Sequence, residues 1–417
     1  MHMKKILLLF CVGASTCLNA YYAFNVIRPY DRYLWTGPQS KGTFQVNCFG
    51  AGTYHEKGAQ WDHTNVCDVL QLFESTQSTL AMVKGFDPQS TVGQVAAALN
   101  NVPDDGIRGH VVPTGHWSMK EAGIGARYWL SHWFNLGIYI PLYHMKLCNI
   151  SWCDCTKNIT AQDLLVKELV TNNLASNVRA WGGLEIQKPW SHRGFGDISV
   201  IAGWERNFPQ QKPILTDVLL SLYAGLSLPT GKRANENELF SIPLGYDGAT
   251  GILFGGTLGL IWKNHFTGGI ETHFTQLMGN ARNRRIKTDH GQSNLLLLAK
   301  TCAHVDWGFI QRYRLYLGGV NLIKGFSFNV AYQFQKQGNS ILSLNSNDYI
   351  TAIANSSCQF KEWTLHQIQV DANYNFGFNM SQDAKGKPTL GFFYQHDFKG
   401  RRALRADRLG AFVCLTF

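Results

Sequence analysis

The sequence predicts an all-β fold: a transmembrane antiparallel β-barrel of about 12 strands, with 14 as the alternative, carrying long, partly helical loop insertions. Three observations predict it. Period-2 alternation of apolar and polar side chains recurs along the chain. The alternating segments reach about 10 residues, the length a tilted strand needs to cross lipid, where soluble sandwich strands run nearer about 5–6. The last strand stops on a terminal aromatic, Phe417.

Successive side chains of a strand point to opposite faces, so each segment splits into an apolar outer set and a polar or small inner set. The first sets Phe44, Val46 and Cys48 against Gln45 and Asn47. The second sets Ala122, Ile124, Ala126 and Tyr128 against Glu121, Gly123, Gly125 and Arg127. The third opposes Leu136, Ile138, Ile140 and Leu142 to Gly137, Tyr139 and Tyr143. The fourth opposes Ile198, Val200, Ala202 and Trp204 to Asp197, Ser199, Gly203 and Glu205. In the fifth, Val218, Leu220, Leu222, Ala224, Leu226 and Leu228 oppose Ser221, Tyr223, Gly225 and Ser227. The sixth sets Ile252, Phe254, Leu258, Leu260 and Trp262 against Gly251, Gly255, Thr257 and Gly259. The seventh sets Phe266, Ile270 and Phe274 against Gly269, Glu271, His273 and Thr275. The eighth alternates Tyr313, Leu315 and Leu317 with Arg312, Arg314 and Tyr316. The ninth runs Phe326 to Phe334 against Ser327 to Gln335, and the tenth Ile368 to Phe376 against Gln367, Gln369 and Asp371. The eleventh gives Leu390, Phe392, Tyr394 and Phe398 against Gly391, Gln395 and Asp397. The last gives Leu409, Ala411, Val413, Leu415 and Phe417 against Arg408, Gly410, Cys414 and Thr416, with Phe412 the one large side chain facing in.

Aromatic residues close several outer faces (Tyr128, Trp204, Trp262, Phe376), as in the interfacial girdle of membrane barrels. Connections alternate short and long. Short turns fall at 131–133, 208–212, 263–265, 321–324 and 380–387, and longer polar ones near 148–193, 230–247, 280–307, 338–362 and 399–407. Twelve strands put every short turn and both termini on one side; fourteen stay open if 148–193 or 280–307 hides a hairpin. The insertions 55–115 and 148–193 hold helix-like pieces at Val69–Met82, Thr91–Asn100 and Ala161–Leu174. The first insertion reads as a lumenal plug or as an outer cap, and the second as an extracellular loop.

The composition agrees. Charged residues are 16 %, below the roughly 25 % of soluble domains, and no apolar run is long enough for a spanning helix. Lys4 and Lys5 precede the apolar run Ile6–Val12, and Leu18-Asn19-Ala20 offers a cleavage site. Residues 1–20 therefore read as a signal peptide, with 21–417 a single exported barrel domain in the outer membrane of a Gram-negative cell.

The inner faces nominate pore-lining residues: Glu121, Arg127, Asp197, Glu205, Glu271, His273, Arg312, Arg314 and Asp371. The net charge of +10 concentrates in a basic rim, Arg282, Arg284 and Arg285 with Arg401, Arg402 and Arg405. In an exported barrel that charge points to lipopolysaccharide or anionic solutes rather than nucleic acid. Cys148, Cys153 and Cys155 share one loop, and a disulfide within it is expected in preference to a metal site. No catalytic group, cofactor or metal is expected. Expected partners are outer-membrane lipid and lipopolysaccharide, the barrel-assembly machinery through Phe417, and an unknown small solute; the barrel is expected to be monomeric. The expected function is passage or binding of small solutes. The alternatives are a non-transporting adhesin or envelope-structural barrel and, third, an outer-membrane hydrolase.

One motif pair carries a family resemblance. Gly194-Phe195-Gly196-Asp197 opens a strand, and Pro229-Thr230-Gly231 closes the next. This resembles the "MetA-pathway of phenol degradation" outer-membrane proteins, which are similar to the fatty-acid-transporter barrels. The resemblance implies an outer-membrane transporter, with both motifs at the outer rim. The insertions 55–115 and 148–193 exceed that family's compact pattern.

Overall fold

The structure, a computed structural model, describes residues 24–27, 39–60, 66–379 and 386–417. The segment expected to be a signal peptide and most of the expected 380–387 turn lie outside the described residues. Twelve long strands form a closed antiparallel barrel. They are β1 (Phe44–Ala59), β2 (His110–Trp129), β3 (Phe134–Asp154), β4 (Ile198–Pro209), β5 (Leu215–Leu228) and β6 (Gly251–Trp262). The second half is β7 (Phe266–Leu277), β8 (Ile310–Ile323), β9 (Phe326–Gln337), β10 (Trp363–Asn375), β11 (Lys387–Arg401) and β12 (Ala403–Thr416). Each pairs with its sequence neighbour, and β1 pairs with both β2 and β12, which removes any free edge. All twelve expected strands are present. The short turns and both ends of the barrel chain lie at one end of the molecule, and the long loops at the other. Phe417 accepts from and donates to Phe44 across the seam, at 3.2 and 2.8 Å.

The fourteen-strand alternative is settled by where the extra strands go. Asn280–Arg285 pairs with Lys300–Asp306, and the latter with Ile341–Leu344, in a separate three-stranded sheet. Trp190–Phe195 lengthens the ladder beside β3 without adding a barrel strand. The helix expected at 69–82 is a correction. Gln77–Ser78 instead pairs with Val111 and His110, and the Ser78 hydroxyl caps a short helix, Thr79–Met82. Helices do form at Thr91–Ala98, Ala161–Val166 and Leu174–Gly182.

At the loop end the strands run past the apolar band, and the alternation inverts. Trp117 and Met119 of β2 and Met145 and Leu147 of β3 point inward, while Ser118, Lys120, His144 and Lys146 point out. These inward side chains, with Leu277, Ile310, Leu365 and Leu404 from other strands, join one buried apolar cluster. Insertion residues complete it, including Leu70, Met82, Val92, Val170, Leu244 and Leu296. Burying large apolar side chains is worth about 1.5–3 kcal/mol each, so the loops are held as a packed body rather than as separate excursions. Polar ties reinforce it: the Arg108 Nε donates to Asp163 at 2.7 Å, and the Ser78 N–H to Ser293 at 2.7 Å. Within this cap, burial pushes the Glu74 carboxyl up and the Lys287 ammonium down, each opposed by the other's charge.

Along the middle of the barrel the outer rows are exposed and apolar, among them Ile124, Leu136, Val200, Leu258, Leu317, Val370 and Phe392. The expected loop disulfide is a second correction: Cys148, Cys153 and Cys155 are not disulfide-bonded. Cys148 and Cys153 both lie in the extended β3, five residues and so more than about 10 Å apart along it, beyond disulfide reach.

Candidate functional site

The lumen is built from the inward set of every strand. Its acidic and basic side chains pair across strands rather than standing alone. The Arg127 guanidinium donates to Glu205 at 2.8 Å and to Gln45 Oε1 at 3.0 and 2.8 Å. Arg408 pairs with Glu121 and donates to Gln395 at 3.2 Å. Arg314 donates to Glu271 at 2.7 Å and lies 3.6 Å from Asp371, which accepts from Asn329 at 3.2 Å. His273 is clamped between the Tyr223 hydroxyl (2.5 Å) and Thr275 (3.2 Å). Arg312 also faces in and is buried. A ladder of amides continues the polar wall: Gln333 and Gln335 reach Gln367 at 2.5 Å each, and Gln367 and Gln395 reach Asp397 at 2.6 and 3.0 Å. Charge inside the lumen is thus largely balanced locally, through the Arg127–Glu205, Arg408–Glu121 and Arg314–Glu271 pairs.

The second component is an aromatic lining, of which the sequence placed Tyr139, Tyr223, Tyr316 and Phe412 on inner faces but not Phe49 or Phe393. Phe49, Tyr139, Phe393 and Phe412 form a lumenal cluster in which Phe49 stacks on Tyr139 with ring centroids 6.2 Å apart. Three of these rings lie directly opposite a glycine: Phe49 beside Gly123, Phe412 beside Gly391, Phe393 beside Gly410. Tyr223 faces Gly255 and Tyr316 faces Gly269 in the same way. A Cβ at any of these glycines would run into the ring or hydroxyl. The glycine lets the ring pack flat on the wall, where Phe49, Phe393 and Phe412 are buried. The signal was visible in sequence as inward glycines, but only the register pairs each with its ring.

One nominated pore residue has a different task. Asp197 faces in, yet its carboxylate accepts from the backbone N–H groups of Gly231 (2.8 Å) and Tyr246 (2.6 Å). Thr230 Oγ1 donates to the Gly196 carbonyl at 2.8 Å and accepts from the Ile198 N–H at 3.0 Å. The two halves of the Gly-x-Gly-Asp and Pro-Thr-Gly pair are therefore bonded to each other, and they fasten the 229–250 loop to the barrel. Asp197→Ala is expected to orphan two backbone donors, at about 1–3 kcal/mol each; Asp197→Asn, which keeps an acceptor, should lose less. Thermal unfolding of the two variants in detergent checks the order.

Half of the expected basic rim is not a rim. Arg284, buried, and Arg282, partly buried, pair with Asp247 at 3.0 and 2.8 Å. Arg285 donates to the carbonyls of Leu297 (2.9 Å) and Gly182 (2.9 Å) inside the cap. Arg401 pairs with Glu362 at 2.9 Å, Arg402 reaches the Glu362 carbonyl at 3.3 Å, and Arg405 donates to the Asp397 carbonyl at 2.9 Å. These arginines hold loops in place.

No family model matches the sequence, and no curated protein matches it. Solved structures do. The COG4313 outer membrane channel from Pseudomonas putida F1 aligns over 93 % of this chain and 100 % of that one, at 11 % identity and a TM-score of 0.50. The Pseudomonas putida toluene transporter TodX aligns over 96 % and 95 %, at 9 % identity and a TM-score of 0.34. A Pseudomonas aeruginosa FadL homologue aligns over 96 % and 97 %, at 8 % identity and 0.29. The two lower scores carry no weight. The first likeness, at its low identity, is one of architecture: this chain has the fold of an outer-membrane channel barrel.

Proposed function

We propose that this barrel passes or binds small solutes across the outer membrane and that its loop cap is the gate. The lumenal lining carries the reading. Aromatic rings packed on cross-strand glycines and locally paired charges line the interior and are buried in this closed state, so a solute path opens only when the cap and the lining move. The apolar layer at the loop end supports a closed resting state, because solute entry from that side requires the cap to move. The reading includes no catalytic role, since His273 is spent on Tyr223 and Thr275. It includes export by the leader, a monomeric barrel in lipid and lipopolysaccharide, and recognition of Phe417 by the assembly machinery.

That same apolar layer favours a second reading, a non-transporting surface barrel whose cap is the active part. Single-channel conductance in a planar bilayer separates the two. The intact protein is expected to conduct rarely, and a variant with residues 62–105 replaced by a short linker to conduct steadily. Silence from both, with barrel folding shown by heat-modifiable gel migration, would reject the channel and leave the surface barrel.

A further inference from the structure

On the outer wall at the loop end, three basic side chains lie in one cross-strand row. Lys120 of β2 is opposite His144 of β3, which is opposite Arg193 of the short neighbouring strand. Lys146 stands in the next row, between Ser118 and Ser191, and Ser191 bonds His144 at 3.0 Å. Lys120 and Arg193 flank His144 from the two neighbouring strands, with Lys146 in the adjoining row, so positive charge gathers on one exposed patch. Lys120, Lys146 and Arg193 all act on the His144 ring, and among the described residues none of the three has a carboxylate in ion-pair reach. Glu121, next in sequence to Lys120, points inward to Arg408.

The row immediately below is apolar: Ala122, Leu142 and Phe195 face lipid in register. The basic row therefore sits at the boundary of the apolar band, the height of lipid headgroups. Beside it the wall is hollowed. Gly50 and Gly52 of β1 take the outward positions next to Ala122 and Lys120. A Cβ on Gly52 would meet nothing within 4 Å. Ala411 and Leu409 form the far side of this trough, which rises along the wall to the Lys120 ammonium.

We infer that this place seats an anionic membrane lipid: its phosphate on Lys120, His144, Arg193 and Lys146, and one acyl chain in the Gly50–Gly52 trough. Charge complementarity selects the headgroup, because an anion offsets positive charge that no carboxylate among the described residues pairs with. The small-residue trough selects a lipid over a free anion. The inference rests on the barrel lying in a membrane and is independent of whether it conducts.

Native mass spectrometry of the full chain released from a non-ionic detergent tests it, with phosphatidic acid and chain-matched phosphatidylcholine as probes. The tightest phosphatidic acid adduct is expected to weaken by about tenfold or more in the variant K120Q/K146Q/R193Q. It should persist in K84Q/K157Q/K188Q, which removes the same charge from the cap, and in the charge-preserving K120R/K146R. Gly52→Leu should weaken the lipid adduct while leaving binding of inorganic phosphate unchanged. Equal retention of phosphatidylcholine, or equal loss in the cap variant, would overturn the site. Displacement of the adduct by inorganic phosphate, with Gly52→Leu silent, would make it a bare anion site and overturn the lipid assignment.

Discussion

Replacing Asp247 with Asn will loosen the loop cap under conditions where the barrel stays folded. Asp247 is fully buried and receives Arg282 (2.8 Å), Arg284 (3.0 Å) and the Ala234 N–H (3.1 Å). Arg284 also donates to Asn280 at 2.8 Å, and its guanidinium lies 5.1 Å from the Trp307 ring centre. The substitution keeps the volume and removes the carboxylate charge that faces both guanidiniums. Breaking a buried pair by deleting one partner costs about 3–5 kcal/mol, because the remaining charge cannot reach water. The cap core depends on this joint: it links the 229–250 loop to the three-stranded sheet. Limited proteolysis is expected to cut the loops at least tenfold faster in Asp247→Asn, with heat-modifiable migration of the barrel unchanged. Equal cutting rates in the two proteins would show that the cap does not rely on the joint.

Gly391→Val is expected to narrow the bore and strain the wall together. Gly391 and Phe412 are direct cross-strand partners, and the space of a Cβ at 391 is taken by the Phe412 ring. Side chains added to a filled site cost about 1–3 kcal/mol, and the cheapest relief is for the ring to swing off the wall into the lumen. In the cap-deleted protein the predicted result is a lower unitary conductance and a lower unfolding temperature. Phe412→Ala should restore both when combined with Gly391→Val, so the double-mutant cycle shows a coupling well outside additivity. Additive effects would mean that the ring does not lie on the glycine.

The barrel was legible because lipid on one side and polar lumen on the other impose the same period on every strand. Residues such as Val330 and Gln333 declare their faces without any knowledge of their neighbours. The ends of β2 and β3 were not legible, and the reason is physical. Beyond the apolar band, water lies outside and the cap core inside, so Trp117 and Lys120 reverse the sense of the pattern. The arginines at 282, 284 and 285 misled for a related reason. A local run of positive charge looks solvated, and the carboxylate that pairs with two of them is 35 residues from Arg282. The nominated acids and bases occupy inward positions of their strands, and Phe412 stood out as a large inward side chain, but the rings of Phe49 and Phe393 read as ordinary strand residues until register placed each over a glycine.

The seam between β1 and β12 also sets an order of events. Every other barrel pair joins strands that follow one another in the chain, whereas Gln45 and Thr416 are 371 residues apart. Made first from an unstructured chain, that closure would cost about 5 kcal/mol of loop entropy; made last, most of the intervening chain is already folded into hairpins and the cost largely disappears. Assembly should therefore pass through an open, curved sheet with two unsatisfied edges, one at Phe44 and one at Phe417. The slow step is the meeting of those edges, and a single damaged residue along the seam would trap the unsealed form while leaving the hairpins intact.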